Sequence, residues 1–298
     1  MTKKITYLLL TIIAISCSSS KEIDARWAMN RGAGKMLKDK TVIYNIFVDT
    51  KTTHYWTGFD IKSTKDSLNK CVKWLTSQAD ENGQDLELEL MYYGTTSKPT
   101  FRKNIPYDHI YEAFADGEYA KESKLNKWVN GILKKVNKSI ILPNGEKLPR
   151  KPKITAGEAI VKKIKKIRQA ENVTINIMVN NYFVSDVSAI FNSMTDEDTE
   201  FIISSGKDPY SLSTLILSAF GAQSLADGAY NKYKVKDIQL AQNDFPNDIM
   251  VKYFPNIDNA EISEYTAYLI GWKETIRAKY VDLFKIEPKK KLLDDSYK

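Results

Sequence analysis

The sequence predicts an α+β domain in which a mixed sheet packs on helices, and three observations carry that expectation. Two runs rich in β-branched and aromatic residues, TVIYNIFVDT (41–50) and VTINIMVNN (173–181), read as strands. A third run, DLELELMYY (85–93), alternates strictly, with Leu86, Leu88 and Leu90 on one side and Glu87 and Glu89 on the other. Between and after these runs, apolar residues recur at helical spacing. A chain of 298 residues, 43% hydrophobic and 27% charged, is long enough for one core or at most two.

The first residues form a secretory leader (1–16): basic MTKK, an apolar run from Ile5 to Ile15, then Ser16. That run is too short for a membrane span, which needs ~20 apolar residues. AISC followed by SSSKE resembles the lipobox of bacterial lipoproteins. The resemblance implies lipidation of Cys17, attachment to a bacterial membrane through it, and a place in the cell envelope, at the outer membrane or the cell surface. A plain leader cut near Ser16 is the alternative. Residues 17–39 are small, polar and basic and read as a tether, 40–285 as the domain, and 286–298 as a charged tail.

Within the domain, Ser63 and Thr64 open a helix with the stripe Leu68, Cys71, Val72, Leu75 and Ala79, closed by Gly83. Cys71 is expected to be a buried thiol. Glu87 and Glu89 share a strand face, where acids are solvated far more often than catalytic. Residues 94–153 read as an insertion holding His109 and a basic helix with Leu125, Trp128, Val129, Ile132, Leu133 and Val136. His109 has no second imidazole near it in sequence, so a surface or partly buried histidine is expected. Thr155 and Glu158 form a capping box ahead of Ile160, Val161, Ile164 and Ile167. The basic runs at 147–153 and 162–168 are spaced lysines, expected as a solvated helix face or an anionic-polymer contact and not as a nucleic-acid site. VSDVSAIF is ambiguous, and 200–206 reads as an edge strand or strap. Asp258 is expected to cap a helix that packs Ile262, Tyr265, Thr266, Leu269 and Ile270 inward and continues through Ile276, Val281 and Phe284.

The stretch SLSTLILSAFGAQS (211–224) places Leu212, Leu215, Ile216, Ala219 and Phe220 at helical spacing and stops near Gly221. Taken with NDIM (247–250) and YTAYLIGW (265–272), it resembles the zinc-dependent metzincin-like proteases of bacterial lipoproteins. In that family a helix with H-E-x-x-H-x-x-G-x-x-D is followed by a D-I-M turn and a closing helix. The resemblance implies a zincin-like fold and puts Gly221 at the helix glycine and Asp248, Ile249 and Met250 at the methionine turn. It puts Thr214, Leu215, Ser218 and Ser224 where the first histidine, the glutamate, the second histidine and the aspartate stand, in that order.

Catalytic zinc needs three protein ligands and an open position, with a general base beside them. Neutral hydroxyls are poor zinc ligands, and a leucine moves no proton. The chain has two histidines, His54 and His109, and no HxxxH pair. Asp227 could align with the third ligand only through a short insertion. The expectation is therefore a catalytically degenerate relative without metal or cofactor, whose cleft binds a peptide or an envelope protein. The resemblance also implies that the strand at 173–181 borders that cleft, with the bound chain added alongside it. Two alternatives stand: an unrelated envelope lipoprotein that binds glycan or protein, its seventeen tyrosines and five tryptophans supplying contact surface, and an active hydrolase relocated to His54, Asp49 and Asp60.

Overall fold

The computed structural model describes residues 36–106, 124–146, 154–182, 188–191, 201–225, 235–277 and 279–280. The leader with Cys17, His109, Asp227, the 147–153 run and the tail from 281 lie outside the described residues. No described helix is long and apolar enough to cross a membrane.

Six strands form one sheet: β1 (Asp39–Asp49), β2 (Leu86–Tyr92), β3 (Thr100–Arg102), β4 (Asn172–Val179), β5 (Ser188–Phe191) and β6 (Phe201–Ser204). The order is β2-β1-β4-β6-β5, and β3 takes up pairing with β1 beyond the stretch that β2 covers. Every pairing is parallel except β5 with β6. β1 and β4 are long apolar runs because both of their faces are covered. Among the described residues six α-helices accompany them: α1 (Gly58–Glu81), α2 (Lys124–Ser139), α3 (Ala156–Arg168), α4 (Pro209–Ala219), α5 (Val235–Asp244) and α6 (Glu264–Leu269).

The mixed sheet and helices agree with the α+β expectation, but the layering does not. The sequence suggested a sheet resting on two helices, whereas helices cover both faces. On one face Ile43, Phe47, Met178 and Ile202 pack against α1, α4 and the closing segment. On the other, Val42, Tyr44, Ile46 and Val48 of β1 and Val173, Ile175, Ile177 and Val179 of β4 pack against α2 and α3. The segment read as an insertion thus supplies β3 to the sheet and α2 to the second core.

Other boundaries also move. α1 starts five residues early, because Thr57 caps it with a reciprocal box: its hydroxyl accepts from Asp60 N while the Asp60 carboxylate accepts from Thr57 N. It ends at Gly83, whose φ of 67° suits a residue without Cβ. Thr155 caps α3 through Glu158 N as expected, although the Glu158 carboxylate turns to Lys162. The tether ends before Leu37, not at residue 39. Leu37 is fully buried, its N–H donates to Ile270 O at 3.1 Å, and its carbonyl accepts from Trp272 Nε1.

The 201–204 segment is neither edge nor strap, since β6 lies inside the sheet between β4 and β5. Asp258 sits in a 3-10 turn with its carboxylate 3.1 Å from Lys70, and the cap of the closing helix is Ser263. That helix stops at Leu269 and does not run on through Ile276. Cys71 is buried as expected. Ser213 on α4 donates to its sulfur at 3.0 Å, and burial pushes the thiol up to about 12. Thiolate is the reactive form. A thiol reagent at pH 8 should therefore leave Cys71 unlabelled in the native chain and label it fully in denaturant, read by peptide mass; rapid native labelling would contradict this packing.

Candidate functional site

The candidate site is built along α4. Its start is written in DPYS: the Asp208 carboxylate accepts from Ser211 N at 2.9 Å, and Pro209 occupies the first turn, where a missing N–H costs nothing. The helix therefore begins two residues before the stretch singled out in the sequence. It closes at Phe220, followed by Gly221 at φ 100°. Tyr210, Leu212, Ser213, Leu215, Ile216, Leu217 and Ala219 are buried. Ser211, Thr214 and Ser218 are the half-buried positions, and their spacing puts them on one stripe of the helix.

Two of the four degenerate positions thus fall on the accessible stripe, while Leu215 turns into the core at 8% exposure. Ser224 lies beyond the helix end and is exposed. The Thr214 hydroxyl donates to Ser211 O at 2.9 Å, a bond within its own helix. A hydroxyl donor, a core leucine and two serines do not make a zinc site by donor chemistry. Among the described residues, no group of three or more His, Cys, Asp or Glu side chains could hold a metal.

The methionine turn is bound to both ends of this helix. Tyr210 in its first turn donates its hydroxyl to Ile249 O at 3.2 Å and Lys252 O at 3.3 Å. After its last turn, Leu225 N donates to Met250 O at 2.6 Å. Met250 is fully buried in the same core as Leu212, Leu215, Ile216, Ala219 and Phe220.

Asp248 ties the turn to the closing segment. Its fully buried carboxylate accepts from Met250 N at 2.8 Å, Thr266 Oγ1 at 2.6 Å, Ser263 N at 3.0 Å and the Ser263 hydroxyl. The backbone adds Ile249 N to Glu261 O at 3.0 Å and Glu261 N to Asn247 O at 2.8 Å. Burial pushes the Asp248 carboxyl above its ordinary value, and these donors offset only part of that. So DIM and YTAYLIGW are two halves of one hydrogen-bonded unit.

A second polar cluster sits at the carboxyl ends of β1, β4 and β6. Its hub is Asn180. Its backbone carbonyl accepts from His54 N at 2.9 Å, and its Nδ2 donates to Tyr55 O at 2.9 Å and Asp60 Oδ2 at 3.3 Å. Its Oδ1 accepts from Lys207, whose ammonium lies 4.3 Å from the centre of the Tyr182 ring. The His54 ring packs edge-on against Tyr182 at 4.9 Å. Burial pushes Asp60 up, but hydrogen bonds from Thr57 and Tyr182 and the Lys207 charge outweigh it and hold the carboxyl below its ordinary value.

The structure brings His54, Asp49 and Asp60 into one region, where both carboxylates make architectural hydrogen bonds. Asp49 accepts from Trp56 N at 2.9 Å and Thr100 Oγ1 at 2.6 Å, while Asp60 caps α1. Tyr55, Phe59 and Tyr182 expose their rings around this end. Glu87 and Glu89 form a charged strand face, held by Lys40 at 2.9 and 3.7 Å, with Arg168 also 3.1 Å from Glu89.

The sequence reading missed Asn180, Lys207 and Tyr210. A polar residue directly after a Val- and Ile-rich parallel strand marks the sheet end where ligands gather, and that signal was available for Asn180. The strand expected to border the cleft, β4, is paired on both sides and can take no added chain. Beside α4 lies β5, which among the described residues ends the sheet and pairs with β6.

Comparisons with protein-family models, curated proteins and solved structures return no match.

Proposed function

We propose that this chain is a catalytically degenerate metalloprotease-like lipoprotein, held at the cell envelope by lipidated Cys17, that binds a peptide or an envelope protein in the groove along α4. What supports the reading is that Met250 is buried in the same core as α4, in a turn hydrogen-bonded to residues at both ends of that helix, while Thr214 and Ser218 lie on the helix's accessible stripe. A metal helix stripped of its ligands would leave buried polar groups without partners; a leucine in the core and a Thr214 hydroxyl bonded to its own helix avoid that cost. We place the groove between this stripe and the neighbouring β5, where an extended chain could add main-chain hydrogen bonds to a strand edge.

The test uses the full chain after dialysis against zinc. Metal content well below one zinc per chain, no chelator-sensitive peptide hydrolysis, and peptide-array binding lost in Ser218→Trp with the fold retained are the expected results. Stoichiometric zinc with hydrolysis abolished by a chelator would overturn the reading. The exposed Tyr55, Phe59 and Tyr182 favour a second reading, a glycan platform at the carboxyl end of the sheet. Oligosaccharide binding lost in Tyr55→Ala and Tyr182→Ala, with no peptide bound, would select it.

A further inference from the structure

Charge is distributed unevenly over the two sheet faces. α2 carries five lysines and no acid, and α3 carries four lysines and an arginine against Glu158 alone. Together these helices hold a net charge of +9 in a chain of net charge +7, so the remainder is net negative. Both are amphipathic. α2 turns Leu125, Trp128, Val129, Ile132, Leu133 and Val136 to the sheet, and its lysines outward.

The cations of α3 are largely engaged within the fold. Lys162 pairs with Glu158, Lys166 with Glu146 and Arg168 with Glu89, while Lys163 donates to Asn137 O and Ile140 O at the end of α2. The α2 lysines differ. Lys127, Lys134, Lys135 and Lys138 are exposed and have no ion pair among the described residues. Nearby Lys103 titrates below its ordinary value through burial and through the charges of Lys135 and Lys134, an independent sign of uncompensated positive potential. Directly after α2, Ile141 stands 76% exposed, an apolar tip at the edge of a basic face.

The face also has a direction. α2 starts beside Lys103, just past the carboxyl end of β3, where Trp128 Nε1 donates to Lys103 O at 3.3 Å. It ends beside Lys163, so Lys134, Lys138 and Ile141 lie toward the amino ends of the strands. That is the end at which residues 36–38 join the sheet: Asn172 Nδ2 donates to Met36 O at 3.1 Å and Lys38 O at 3.2 Å.

We propose that the exposed face of α2, with Ile141 at its tip, docks the domain on an anionic lipid bilayer. Lysines near such a surface each add to binding, and an apolar side chain can enter the boundary between headgroups and acyl chains. Docking would turn the carboxyl-end cluster and its exposed rings away from the lipid. The inference stands apart from what fills the α4 groove, and it complements the anchor proposed at Cys17.

The experiment is co-sedimentation of the full chain with vesicles of phosphatidylcholine alone and with phosphatidylglycerol added. Binding to the neutral vesicles reports the leader or acyl chain; the gain on anionic vesicles reports the charged surface. That gain should disappear at high salt. It should fall about a hundredfold or more in the variant K127Q, K134Q, K135Q, K138Q. Ile141→Ser should weaken anionic binding without changing its salt dependence. An undiminished gain in the four-lysine variant would overturn the proposal. So would loss of DNA-duplex binding in that variant with vesicle binding intact, which would assign the face to nucleic acid. Equal binding to both vesicles would also overturn it, while leaving the anchor at Cys17 standing.

Discussion

Asp248→Ala is expected to destabilise the domain by about 3–5 kcal/mol, because it leaves two buried backbone donors, Met250 N and Ser263 N, without an acceptor. Unfolding in denaturant measures it, and Thr266→Val, which removes one of the four donors, should cost about 1 kcal/mol. A loss under 1 kcal/mol for Asp248→Ala would mean that the turn and the closing helix are held by other contacts. The pH dependence has a definite sign. A carboxyl whose native value is raised contributes stability that is complete below its unfolded value and lost as pH rises through the native one. The stability difference between the wild type and Asp248→Asn should therefore widen in favour of the wild type as pH falls from neutral toward 4.

The second large effect is a gain. Thr214→His, Ser218→His and Ser224→Asp, made together, should convert a chain without stoichiometric zinc into one that holds about one zinc per chain. Two of these positions share the accessible stripe of α4, and the third follows Gly221. Binding confined to the native state raises the melting temperature by mass action, so zinc should stabilise the triple variant and leave the wild type unmoved. Adding Leu215→Glu should lower stability by several kcal/mol without metal, since it places a carboxylate where a leucine is 8% exposed in the core. A triple variant that folds and takes up no zinc would show that the stripe and residue 224 do not converge, and the proposed ancestry of the groove would fall with it.

How much of this was legible in the sequence follows from which forces act locally. β1 and β4 were readable because strands covered on both faces are rich in β-branched and aromatic residues, and that composition needs no knowledge of partners. β6 was not, since four residues between β4 and β5 carry no periodicity that separates an interior strand from a strap. The start of α1 was hidden by Gly58 and by Phe59, 79% exposed, which mask the capping box at Thr57 and Asp60. Asp258 looked like a cap because caps are acidic and local, yet its backbone forms a 3-10 turn and Ser263 does the capping.

At the site, the accessible stripe on α4 was foreseeable from helical spacing. The hub role of Asp248 was not: its partners Ser263 and Thr266 are 15 and 18 residues away. The Asn180 cluster joins 54–60 to 180–182 and 207, a long-range convergence that composition does not record.

Where the chain joins the sheet, residues 36–39 are held at once by Asn172, Ile270, Trp272 and Asp85. A pull on residues 36–39 would therefore load three distant stretches together, at 85, 172 and 270–272. Such an arrangement resists mechanical force as a shear joint does, and it makes residues 270–272 part of the fastening that would keep the domain closed at its root if the chain is held from its amino-terminal side.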